Sequence, residues 1–193
     1  MEEPKIKAYG FNATLEFVEK NYDEATRKRI LSALSPAGQS FMEAAKKSQW
    51  APPQFSSELW TGVAREHQKS NDVEEQLVKI GRYQGAFATN TYLKLLMKML
   101  TMKMFAKKFP DIWARDANFG KVIVGDLADI DKGKLVIDFK DLVTFPYFGP
   151  ITQGWFSYSF EVMGLKEVKV QLLDWSLQKP DVSDLRYQVS WTR

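Results

Sequence analysis

Residues 82–116 read RYQGAFATNTYLKLLMKMLTMKMFAKKFPDIWARD. Laid on a helix, Leu93, Leu96, Met97, Leu100 and Met104 fall along one flank, and Leu95, Met99, Met102 and Phe109 along another. That leaves Lys94, Lys98, Thr101 and Lys108 as the one consistent polar strip. Such a helix needs other elements on at least two sides, so the stretch is expected to be a long central helix around which the rest is arranged. A membrane span would take roughly 20 uninterrupted apolar residues, and Lys94, Lys98 and Lys103 break the run much earlier. A core helix is therefore expected, and no membrane span. Its methionines leave two readings open: an adaptable wall for an oily ligand, or the filling of gaps in an irregular core.

Upstream of it the pattern is helical. Asp23 precedes the run EATRKRILSALS, where an acidic residue satisfies free backbone N–H groups. Pro36 and Gly38 punctuate that run, and Gln39–Lys47 carries a further helical stretch. Gln49-Trp50-Ala51-Pro52-Pro53-Gln54-Phe55 is not expected to be regular helix, because two prolines restrict the backbone and remove donors. It is read as a rigid connection whose Trp50 and Phe55 clamp the helices on either side, with Ser56 or Ser57 capping a helix over 58–68. Asp72 caps another, in which Val73, Leu77, Ile80 and Gln84 follow helical spacing. Gly81 and Gly85, four apart within it, would let a second backbone approach closely.

Downstream the period changes. After Pro110 a short helical turn is expected to end by Gly120. The runs KVIVGDL (121–127) and KLVIDFKDL (134–142), joined at Asp131-Lys132-Gly133, read as a hairpin. TFPYFGP (144–150) reads as a loop, 151–163 as a helix capped by Gly164, and 168–175 and 185–192 as two further strands. The expected architecture is α+β: an N-terminal helical layer with a long central helix packed on a C-terminal antiparallel sheet of about four strands, ββαββ. The chain is read as a single domain, 1–193, made of an N-terminal helical part, 1–81, and the long helix plus ββαββ core, 82–193.

Composition narrows the function classes. Lys and Arg number 27 against 24 Asp and Glu, and the net +3 with scattered basic residues argues against nucleic acid. The absence of cysteine removes disulfides, thiolate zinc sites and thiol nucleophiles together. The N-terminus lacks the apolar core of a secretion signal, so a cytoplasmic protein is expected. His67 is the single histidine; its charged neighbours in VAREHQKS point to the surface end of a helix and away from haem ligation. Asp126, Asp129 and Asp131 lack the spacing of a calcium loop and read as a solvated hairpin tip. No metal and no cofactor is expected. Aromatics crowd the helix–sheet junction instead. There Met97, Leu100, Met104, Trp113, Phe145, Tyr147, Phe148, Trp155 and Tyr158 are the candidate walls of a hydrophobic cavity, though the same side chains would serve as plain core.

Trp50-Ala51-Pro52 before a helix, Gly81-Arg82, Phe109-Pro110-x-x-Trp113, Gly154, Met163-Gly164 and the closing Tyr187-x-Val189-x-Trp191 resemble a paralogous family of unknown function. It is best represented in myxobacteria and related delta-proteobacteria. The match spreads over nearly the whole chain and its motifs are structural. From about residue 82 to 193 the pattern also resembles the wider superfamily of 4-vinyl reductase domains, TRAPP-complex subunits of the Bet3 type and haem-nitric-oxide-binding domains. That resemblance implies a helical layer over an antiparallel sheet, a hydrophobic ligand cavity in several members and dimerisation in many. The cysteines that some relatives use have no counterpart here, and no histidine lies where a haem ligand is expected, so no particular ligand is inherited.

The expected function is a non-enzymatic binding or adaptor domain in the cytoplasm, with a small hydrophobic ligand or a protein partner in signalling. A second copy of the chain, as a homodimer, is the further expected partner. The alternative is an enzyme with acid–base chemistry at the helix–sheet junction, drawn from Asp126, Asp138, Arg115, Tyr147 or Tyr158.

Overall fold

The computed structural model describes residues 2–46, 49–88, 91–143 and 145–192, and only the backbone of 91–93. A short strand β1 (Ile6–Lys7) leads into α1 (Tyr9–Asn21), α2 (Glu24–Leu31) and α3 (Pro36–Ala44). Strand β2 (Trp50–Ala51) returns to pair antiparallel with β1, and α4 (Pro53–His67) and α5 (Val73–Ala88) follow. Then come α6 (Thr91–Met99) and α7 (Met102–Asp116). The C-terminal part is β3 (Lys121–Val124), a 3-10 turn (Leu127–Lys132), β4 (Lys134–Lys140), α8 (Phe148–Val162), β5 (Lys166–Leu173) and β6 (Leu185–Thr192). The fold is α+β, with an antiparallel four-stranded sheet in the order β3-β4-β6-β5.

Capping chemistry explains several boundaries. The Asp23 carboxylate accepts the Thr26 N–H at 2.9 Å and starts α2, as the sequence indicates. Helix α4 begins five residues earlier than expected, because Pro53 suits a first helical turn, where its missing N–H costs nothing. Ser56 and Ser57 are therefore not caps but buried residues inside the helix. Phe55 packs on Phe41 in a smaller core with Phe11, Leu34 and Leu59, whereas Trp50 stays exposed beneath the Lys7 ammonium, so only one of that pair clamps.

The expected long rod over 82–116 is instead interrupted after Met99, where α6 ends and α7 begins; residues 89–90 lie outside the described residues. The reason for that break is Thr101: its backbone is extended and its hydroxyl accepts the Met104 N–H at 3.2 Å. A threonine placed in the polar strip by periodicity is in fact the cap that starts a new helix. Helix α7 then buries Met102, Phe105, Ala106, Phe109 and Trp113 at helical spacing. It runs through Pro110 to Asp116, where the expected short turn had a separate start. Helix α6 is not buried all round, since Leu95, Leu96 and Met99 are exposed; the side chain of Leu93 lies outside the described residues.

Helices α5 and α8 cross at two glycines. A β-carbon on Gly81 would collide with the Ile151 carbonyl, and one on Gly154 with the Val78 carbonyl, so the two backbones touch there. The expected approach of a second backbone holds at Gly81; at Gly85 the close neighbour is instead a side chain, the Tyr158 ring. In the sheet, Leu135 pairs with Val189, Ile137 with Tyr187 and Phe139 with Leu185. These residues alternate inward against α7 and α8, and their neighbours Lys134, Arg186 and Gln188 face water.

Candidate functional site

The seam between the N-terminal helices and the sheet half holds a partly open cavity of about 80 Å³. Its walls come from both sides: Tyr9, Gly10, Trp60 and Gln84 from α1, α4 and α5, and Phe109, Trp113, Phe139, Phe145, Phe148, Ile151, Thr152 and Trp155 from the rest. Two charged residues also line it, Lys7, whose ammonium lies over the Trp50 ring, and Asp116, paired with Arg115. Ring contacts hold these walls. Trp60 lies 5.0 Å from Phe145, which stacks on Phe148 at 4.7 Å, and Trp113 meets the Phe139 ring edge-on at 5.0 Å. The Trp113 indole N–H donates to the Phe119 carbonyl at 2.9 Å, fixing the ring while keeping its polar edge satisfied.

Polar groups near the cavity are spent on one another. Gln84 Nε2 donates to the Gly10 carbonyl and to Thr14 Oγ1, both at 3.1 Å; Trp60 Nε1 donates to Thr14 Oγ1, and Thr14 donates to Gly10 O at 2.9 Å. The Tyr9 phenol is pushed above its ordinary range by burial and by the Asp116 carboxylate, with Arg115 opposing. Its proton is therefore held. Nothing in this set is an activated nucleophile or a base poised near neutrality. What the cavity can do is bind by shape and apolar contact.

Of the nine residues predicted for a cavity, the structure brings Trp113, Phe145, Phe148 and Trp155 together on this one. Met97 and Leu100 are half-buried against the main core, and Met104 is exposed on α7. Tyr147 sits at the start of α8 with a left-handed backbone, and Tyr158 packs against Gly85 between α5 and α8. Trp60, Phe139, Gln84 and Tyr9 line the cavity without having been singled out. They belong to helices or strands distant in the chain, and only the α5–α8 crossing, signalled by Gly81 and Gly154, would have placed them. The groups considered for acid–base chemistry are dispersed: Asp138 is bidentate with Arg186, Arg115 pairs with Asp116, and Asp126 caps the 3-10 turn through the Ala128 N–H. None of them lines the cavity.

His67 is half-buried, not a free surface group as its neighbours suggest. Its Nε2 lies 2.9 Å from the Tyr22 hydroxyl and its Nδ1 2.9 Å from Asp72 Oδ1. Asp72 also accepts from the Ser70 hydroxyl and from Gln76 Nε2, and these bonds, Ser70 and Gln76 before His67, hold its carboxyl well below the usual range. Which ring nitrogen donates follows the tautomer: in the one with its proton on Nδ1, the ring donates to Asp72 and accepts from the Tyr22 hydroxyl at Nε2. The cluster ties the end of α1 to the α4–α5 connection, away from the cavity. The three carboxylates of the hairpin do not gather either: Asp129 pairs with Lys132 and Asp131 with Lys103, and no group of metal-binding side chains occurs among the described residues.

No protein-family profile and no curated protein matches the sequence. Solved structures do match. The chain is similar to a mutant H-NOX protein from K. algicida in the unliganded Fe(II) state, at 11% identity and TM-score 0.71 over 97% of each chain. It is similar to an H-NOX protein from S. oneidensis in the Fe(II)NO ligation state, at 9% identity and TM-score 0.68, over 97% of this chain and 100% of that one. An IWP-051-bound H-NOX from Shewanella woodyi in the Fe(II)CO state is 14% identical with TM-score 0.51, over 95% and 93%. The fold is that of the H-NOX domains. The likeness takes in the N-terminal helices as well as the half from residue 82 onward that sequence pattern connects to this superfamily.

An iron-bearing group of the haem type does not fit the described residues that line this cavity. Axial donors to such iron are histidine, thiolate, methionine or tyrosinate. Both nitrogens of His67 are engaged and the ring is not on the cavity, cysteine is absent, and the Tyr9 phenol is held protonated. None of the cavity residues is a methionine. Sites for drug-sized ligands occupy roughly 300–1,000 Å³; at about 80 Å³, the seam holds a far smaller guest.

Proposed function

We propose that this chain is a non-enzymatic sensor or adaptor domain that uses the H-NOX fold to hold a small apolar molecule, and not an iron-bearing group, at its helix–sheet seam. One observation carries the reading: a cavity of about 80 Å³ walled by aromatic rings from both halves, whose nearby polar groups are already paired or held protonated. Occupancy of such a space changes how tightly the two halves close, which is a signal a protein partner can read. The setting we propose is the cytoplasm, with the chain acting as a member of the myxobacterial family it resembles and working as a homodimer.

Trp60, Trp113 and Trp155 line the cavity, so binding is reported by tryptophan emission. Titrating the intact chain with benzene is expected to give a saturable, one-site change. Native mass spectrometry of protein purified from its own host is expected to show a small adduct. No saturable change together with a clean apo mass would contradict the ligand reading. Titration with haemin is expected to yield no saturating absorption band of one group per chain; such a band would contradict the iron-free part of it.

A further inference from the structure

We propose that the bend made by α6 and the start of α7 docks on an anionic membrane surface, with Leu95, Leu96, Met99 and Met104 entering the headgroup layer and the lysines around them meeting lipid phosphates. Seven large apolar side chains are exposed among the described residues, and four fall in this one short segment: Leu95 at 59%, Leu96 at 40%, Met99 at 72% and Met104 at 50%. Leu95 and Met99 are one helical turn apart with Leu96 beside them, while Met97 and Leu100 turn toward the core. An apolar cluster of this kind marks an interaction surface.

Charge identifies the occupant. Basic residues are scattered along the chain, but acidic ones are not: from Gln76 to Pro110 there are seven Lys and Arg and no Asp or Glu. Lys94, Lys98, Lys103, Lys107 and Lys108 are all exposed around the apolar cluster. Among the described residues, two acids reach it: Asp131 of the 3-10 turn, 2.7 Å from Lys103, and Asp111, three residues further along α7 and 3.9 Å from Lys108. Protein interfaces are depleted in lysine and rich in aromatic residues and arginine. A surface of leucine, methionine and lysine has instead the composition of a helix lying in the plane of a lipid interface, whose lysine stems flank the inserted side chains and extend to the phosphates. No described helix is long and apolar enough to cross a membrane, so the contact is peripheral.

Flotation of the full chain with vesicles tests this. The chain is expected to float with vesicles of mixed phosphatidylcholine and phosphatidylglycerol, not with phosphatidylcholine alone, and to be released as salt rises. The double substitution Leu95→Ser and Met99→Ser is expected to weaken binding by roughly tenfold or more. Each of Lys94→Gln, Lys98→Gln, Lys107→Gln and Lys108→Gln should weaken it about fivefold. All these positions are exposed, and an unchanged circular dichroism spectrum verifies that each variant is folded. Failure to float, equal flotation with both vesicles, or variants that float like the parent would overturn the proposal. So would saturable capture of an acidic protein by this surface when vesicles are not bound.

Discussion

Asp72 shows how a single side chain can organise its surroundings. It receives Ser70, Gln76 and His67, and through His67 it reaches Tyr22. Glu66 is likewise held below the ordinary carboxylate range by Arg29, and Asp184 by Lys140 and the Asp141 N–H. A carboxyl whose folded value lies below its unfolded value of about 4 stabilises fully above that value, and the contribution is lost as pH falls through the depressed one. Tyr22 runs the other way: burial, then Asp72 and Glu66, push it up to about 12. Its contribution is complete below about 10 and is lost as pH rises through the folded value. The urea midpoint is therefore expected to be flat near neutrality, to fall on acidification below pH ~4, and to fall again above pH ~10. A midpoint that rises between pH 4 and 2 would refute the acid limb. VAREHQKS shows the charged neighbours of His67 but not its partners: Tyr22 lies 45 residues away in the chain, and Asp72, five residues away, falls just past the end of that stretch.

Among the elements, the α5–α8 crossing positions the seam. Gly81 and Gly154 each face a carbonyl of the other helix, and backbone cannot move aside as a flexible side chain does. Gly81→Ala and Gly154→Ala are each expected to cost about 3 kcal/mol or more, despite the better helix propensity of alanine. Thermal or urea unfolding checks this; a variant as stable as the parent would mean the helices do not cross there. The four C-terminal strands and the late helix could be read from the chain because alternation and turn residues agree with one another. The central rod could not. Its apolar periodicity is continuous over Lys94–Lys108, and the break rests on one threonine whose capping role competes with its place in a polar strip. The exposed leucines and methionines of α6 followed from that break, so periodicity alone overestimated their burial.

For the whole molecule, one aromatic core runs from Phe17 in α1 to Trp191 in β6, and the cavity is a gap in it where the two halves meet. Four of the rings around the gap, Trp113, Phe145, Phe148 and Trp155, stand among the candidate walls read from the sequence; Tyr9, Trp60, Phe109 and Phe139 do not, because the contacts that bring them there are long-range. This chain has the H-NOX fold, and its own side chains narrow the seam to a small, largely apolar space. Crystals of the intact chain under xenon test it most directly, since small apolar cavities take up the gas. A single strong site bounded by Trp60, Trp113, Phe145 and Ile151 is expected. Xenon found only elsewhere, or a seam parted around a porphyrin-sized slot, would contradict it.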